Sequence, residues 1–112
     1  MAALEYLYGR GHRRIAIALS QKAAERKRSR RYRAYVDFLR SKSLKLDPEL
    51  VFTTGLSVEG GAQLATKIVA LRNEGDAVSA VLCGNDLVAI EAINAFRTTP
   101  LVPGRDISIV GM

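Results

Sequence analysis

Tryptophan is absent from this chain, and cysteine and histidine occur once each. A lone Cys83 excludes an intrachain disulfide and a cysteine metal cluster, and His12 by itself adds nothing to a metal case. Proline is sparse, and Pro48, Pro100 and Pro103 each fall where a loop is expected. The apolar runs are short pieces such as Ile15–Leu19 and Val81–Cys83, far from the ~20 residues that a membrane-spanning helix needs. Met1-Ala2-Ala3-Leu4-Glu5 lacks the basic-then-apolar order of a secretory signal, so a cytoplasmic location is expected. Catalytic signatures are missing too. There is no G-x-x-x-x-G-K-S/T, no G-x-G-x-x-G opening a helix after a strand, and no G-x-S-x-G. Gly9-Arg10-Gly11 precedes the first apolar run and reads as a helix stop. These absences argue against an enzyme, a cofactor and a membrane partner.

What is present is the composition of one globular domain: 112 residues, 48% hydrophobic and 25% charged. A chain of this size buries about two-thirds of its unfolded surface, enough for one core. The net charge of +6 is unevenly placed. Of 17 Lys and Arg, 13 lie between Arg10 and Lys45, where Glu25 and Asp37 are the acids. Such asymmetry is compatible with a polyanion surface or with a solvated Arg-rich helix face.

The hydrophobic pattern is regular. Ala2–Tyr8 reads as a short helix with Leu4, Leu7 and Tyr8 on one side. Ile15–Leu19 is wholly apolar, as suits a strand buried on both faces. Tyr32, Tyr35, Val36 and Leu39 fall at i, i+3, i+4 and i+7 of a helix ending near Ser43. After the Asp47-Pro48 turn, Val51–Thr54 reads as a second strand. Ser57 then caps a helix with Leu64, Ala65, Ile68 and Leu71 on its stripe, although Gly60 and Gly61 weaken its first turn. Val78–Cys83 is the third strand. Asn85 or Asp86 caps a third long helix whose buried side is read as Leu87, Ile90, Ile93 and Phe96, and Ile107–Val110 is the fourth strand. Apolar strands alternating with helices predict an α/β doubly wound open parallel sheet, strand order about 2-1-3-4.

Ligands of such sheets bind beyond the carboxyl ends of the strands, where strand order reverses, here between strands one and three. The loops reaching that crevice are Ser20–Arg30, Gly55–Ser57 and Gly84–Asp86. Asp86 either caps the helix or accepts hydrogen bonds from a ligand, and Asn85 can take the capping role instead. Arg30 and Arg31 are donor forks or solvated surface. His12 has no sequence-evident nucleophilic partner, and Cys83 reads as a buried strand residue.

These residues resemble a known family. Gly11-His12-Arg13-Arg14-Ile15-Ala16 is similar to the G-H-R/K-x-I-A/G signature of lactose-repressor-type (LacI/GalR) transcription regulators, preceded by Ala3–His12 in the shape A-x-x-Y-L-x-x-x-G-H. Arg31-Tyr32-Arg33-Ala34-Tyr35 resembles R-x-x-G-F/Y with Ala34 in place of glycine. Ser57–Gly61 resembles S-x-E-x-G, Cys83–Ile90 resembles x-x-N-D-x-x-A-x, and Val102–Gly111 resembles V-P-x-D-I/V-S-I/V-V/I-G with one extra residue.

The resemblance implies a periplasmic-binding-protein-like effector domain. Residues 1–12 correspond to the last helix of the first lobe and its crossover, and residues 13–112 to an incomplete second lobe. The helix-turn-helix falls outside, so a truncated protein or partial reading frame is expected. Carried over, the effector contacts are Arg31, Asp86 and Leu56, with Arg30, Asn85 and Ser20 as secondary candidates. The implied partners are a small-molecule effector, a sugar or possibly an anionic one given the basic Gln21–Ser29 stretch, and a second copy in a homodimer. DNA contact is implied only through the helix-turn-helix. A periplasmic sugar-uptake lobe and a basic nucleic-acid module are the alternatives.

Overall fold

Ile15 to Leu19 form a strand in which every residue is buried, which requires a covering layer on each face. The computed structural model, which describes residues 2–19, 29–53 and 58–111, supplies both. The elements are α1 (Ala2–Gly9), β1 (Ile15–Leu19), α2 (Arg30–Ser41), a 3-10 turn (Pro48–Leu50), β2 (Val51–Thr53), α3 (Val58–Asn73), β3 (Ala80–Cys83), α4 (Asp86–Phe96) and β4 (Ser108–Gly111). The strands are parallel in the order β2-β1-β3-β4, the doubly wound order expected. Ile17 of β1 pairs with Val51 on one side and Leu82 on the other. Among the described residues no helix is long and apolar enough to cross a membrane.

Alternation along β1 divides the core in two. Ile15, Ile17 and Leu19 join Leu4 and Leu7 of α1 and Tyr35, Phe38 and Leu39 of α2. Ala16 and Ala18 face the other way, toward Leu64, Ala65 and Ile68 of α3 and Val88, Ala89, Ala92 and Phe96 of α4. Leu4 and Leu7 are completely buried, so α1 is built into this body. Tyr35 is buried as well, and its hydroxyl donates to the Ile15 carbonyl at 2.6 Å. Burial raises its phenol well above the ordinary value.

The buried side of α4 differs from the sequence expectation. Leu87 and Ile90 are 59% and 52% exposed and Ile93 is half-buried, whereas Val88, Ala89 and Ala92 are buried with Phe96. Space is the reason. A β-carbon at Gly61 of α3 would lie 2.7 Å from the Glu91 carbonyl oxygen of α4, so the two helices cross too closely for large side chains. The glycine that weakens α3 locally therefore serves its packing. Several boundaries also shift slightly, β3 beginning at Ala80 rather than Val78 and α1 running on to Gly9. Strand β4 starts at Ser108, with Ile107 buried and bridged to Pro103, and α2 ends at Ser41, ahead of Ser43 with its φ of 57°. Thr54 and the Ser57 cap lie outside the described residues.

Polar clips close the amino-terminal edge of the sheet. Arg14 donates from Nε and Nη2 to both oxygens of Asp76, at 3.2 and 2.6 Å, and from Nη2 to Asp47 at 3.1 Å. It thereby joins the turns that precede β2 and β3. His12 has partners that the sequence does not reveal. Its Nδ1 lies 2.7 Å from Ser79 Oγ and its Nε2 3.3 Å from Ser108 Oγ, beside the starts of β3 and β4. Burial, aided by Arg10, holds this imidazole below its usual value.

Two predictions follow from this packing. Gly61→Ala is expected to destabilise by about 1–3 kcal/mol through overpacking, although alanine is the better helix former; equal or higher stability in urea unfolding contradicts the crossing. The Asp76 carboxyl is held below its ordinary value first by Arg14, and that of Asp47 first by the Glu49 amide and then by Arg14. In acid the folded chain therefore binds fewer protons than the unfolded one. The associated stabilisation is complete above the ordinary carboxylate value of about 4 and is lost as pH falls through the lowered values. Asp76→Asn should cost about 1–2 kcal/mol at neutral pH and flatten that acid limb; an unchanged acid slope contradicts the role of the clip.

Candidate functional site

Chain leaves the carboxyl end of β1 toward α2 and β2 on one side, and the carboxyl end of β3 toward α4 and β4 on the other. The order thus reverses between β1 and β3, and the strand ends there form a crevice. Its floor is Gly84, whose amide donates to the Ala18 carbonyl at 2.8 Å. A β-carbon at Gly84 would stand 3.3 Å from Leu19 Cδ2, 3.4 Å from the Ala18 oxygen and 3.7 Å from Arg31 Cδ. The stem of Arg31 therefore runs beside this floor.

Arg31 occupies the first turn of α2, which Ser29 caps by accepting from the Tyr32 amide at 3.4 Å. Arg30 precedes it, and both are exposed. Opposite, Asn85 caps α4 by accepting from the Val88 amide at 2.9 Å, which answers the capping question left open between the two neighbours. Asp86 is exposed, and its Oδ1 reaches over Gly111, where a β-carbon would come within 2.8 Å of it. Neither Arg31 nor Asp86 makes a side-chain hydrogen bond or ion pair with another described residue. The structure thus brings Arg31 and Asp86 to one edge of the sheet, Arg31 beside Gly84 and the Asp86 carboxylate over Gly111, while Asn85 is engaged as a cap. Leu56 and Ser20 lie outside the described residues.

A guanidinium that only donates and a carboxylate that only accepts suit a ligand whose groups do both, as hydroxyls do. Thr53, at the carboxyl end of β2, adds a buried hydroxyl with no hydrogen-bond partner among the described residues. Sequence reasoning missed it because a β-branched residue in that place reads simply as a strand former. Cys83 is fully buried, and burial pushes its thiol up to about 12, so it offers no nucleophile near neutral pH. Among the described residues no three His, Cys, Asp or Glu side chains are grouped to hold a metal. A separate cleft of about 350 Å³ lies between α3 and α4, lined by Ala62, Thr66, Glu91, Asn94, Ala95 and Thr98 among others. It opens along the helix flanks and includes none of the strand-end residues.

Comparison with known proteins agrees with this fold. The periplasmic binding protein-like domain family matches residues 4–112. The transcriptional regulator MalR of Streptomyces coelicolor is 32% identical over 112 residues, covering 97% of this chain and 31% of the relative. A regulatory protein of the LacI family from Chloroflexus aggregans superposes with a TM-score of 0.83 at 32% identity, over 98% of this chain and 38% of that one. The transcriptional regulator CelR, solved as a complex with cellobiose, gives a TM-score of 0.72 at 26% identity, over 96% of this chain and 32% of that one. The chain thus spans about a third of the length of such relatives, which are regulators and not uptake proteins. Matched along almost its whole length, the chain belongs to the periplasmic binding protein-like domain family, and it is similar in fold and sequence to the LacI-family regulator from Chloroflexus aggregans.

Proposed function

We propose that this chain is the effector-binding and dimerisation segment of a bacterial LacI-type transcription regulator acting in the cytoplasm. The observation that carries this reading is the placement of Arg31 and Asp86, neither compensated by another described residue, at the carboxyl edge of the sheet beside the strand-order reversal. In this reading residues 13–112 make up most of the second lobe, and residues 1–12 are the helix entering from the first. Because Leu4 and Leu7 are buried in this core, α1 would travel with the second lobe when the two move. An effector held between the lobes binds the closed form more tightly than the open one. That difference biases DNA binding by a helix-turn-helix elsewhere in the polypeptide.

The effector class is a sugar or a related polyhydroxylated molecule, in keeping with the cellobiose bound by CelR and with the donor–acceptor pair. The cations of the chain between β1 and α2, Lys22, Arg26, Lys27 and Arg28, extend the class to phosphorylated sugars. Exposed Leu87 and Ile90 on α4 provide apolar surface suited to a second copy. Leu56 and Ser20 complete the proposed contacts by analogy of position, with Arg30 at the rim.

Variants separate capping from ligand contact. In the full-length regulator, Asp86→Ala and Arg31→Ala are each expected to weaken effector-driven release from operator DNA by at least about tenfold, with stability changed by less than about 1 kcal/mol. Asn85→Ala should instead lower stability by about 1 kcal/mol. A normal effector response in Asp86→Ala contradicts the site. Calorimetric titration with neutral sugars and their phosphate esters tests the charge of the effector, and preference for the neutral forms removes the anionic class.

A further inference from the structure

Gly111 ends β4 in register with Cys83, at a position where strand propensity favours a β-branched residue. Its backbone does not require glycine, because the positive-φ glycines among the described residues are Gly11, Gly75 and Gly104. What the position requires is space. A β-carbon there would lie 2.8 Å from Asp86 Oδ1, 3.6 Å from Ala89 Cβ and 3.8 Å from Asp86 Cα. Only the first of these distances is a collision, and it falls on the tip of a side chain that can rotate away.

We propose that Gly111 is a positioning residue for Asp86, leaving the volume over the end of β4 into which its carboxylate turns. The inference rests on the reading of Asp86 as an effector contact. Asn85 and Gly111 divide the task between them. Asn85 occupies the Val88 amide that Asp86 would otherwise be drawn to cap, and Gly111 leaves open the rotamer that reaches over the end of β4. A methyl group at Gly111 closes that rotamer without displacing α4, because its contacts with Ala89 Cβ and the Asp86 Cα are ordinary packing distances. The carboxylate would then turn away from the strand ends while the helix stays in place.

The test reads the side chain directly. Three-bond couplings from the Asp86 Cγ to its amide nitrogen and its carbonyl carbon report χ1 in the isotopically labelled 112-residue chain. One staggered rotamer is expected to dominate in the native chain, and a different one, or an average, in Gly111→Ala. Identical couplings in the two overturn the proposal. Should Gly111→Ala prove destabilised, the double variant Asp86→Ala/Gly111→Ala decides its cause. Recovery of the loss supports the collision with Asp86, and an equal loss in both backgrounds overturns it. These readouts need no effector, so their failure is distinct from that of the site reading, which fails if Asp86→Ala retains a normal effector response.

Discussion

Burial of β1 on both faces is the constraint from which the remaining architecture follows. A strand whose five residues are all inaccessible needs helices above and below. Its alternation of large and small side chains sets how near each layer approaches. Ile15, Ile17 and Leu19 hold α1 and α2 at a full side-chain distance, while Ala16 and Ala18 admit the α3–α4 pair. That pair is itself drawn together where Gly61 meets the Glu91 carbonyl. With β1 central, the chain winds outward first to β2 and then, through β3, to β4. The reversal between these two windings creates the crevice.

The two edges of the sheet are chemically opposite. At the amino-terminal edge the charged and polar groups satisfy one another, Arg14 with Asp47 and Asp76, and His12 with Ser79 and Ser108. These clips join segments far apart in sequence and hold the strand starts in register. At the carboxyl edge Arg31 and Asp86 face solvent without partners among the described residues. A base that satisfies itself beneath an unsatisfied rim is the arrangement expected of a body that binds a ligand at one end and moves as a unit.

Much of this was legible before any coordinates. The continuous apolar runs, the turn residues between them and the helical spacing of Tyr35 and Leu39 together imply the doubly wound sheet and its strand order. The crevice between Gly84 and the start of α2 follows from that order alone. The buried face of α4 was legible at Phe96 but not in the turns before it, because periodicity selects the largest apolar residues, Leu87 and Ile90, whereas the close crossing at Glu91 favours small ones, Ala89 and Ala92. Nor were the serine partners of His12, since Ser79 and Ser108 reach it only once β3 and β4 are paired. At the site, residue type left Asp86 between cap and ligand contact and did not divide Arg30 from Arg31, and the family resemblance alone singled out Asp86 and Arg31. The division between Asn85 as cap and Asp86 as free carboxylate depends on a backbone geometry that composition does not encode.

The central claim is that ligand recognition takes place at the carboxyl edge of β1 and β3. A crystal structure of the full-length protein with its bound effector tests it most directly. The account predicts effector atoms within hydrogen-bonding distance of the Arg31 guanidinium and the Asp86 carboxylate, above Gly84. An effector seated instead in the cleft between α3 and α4, against Thr66 and Asn94, would contradict it.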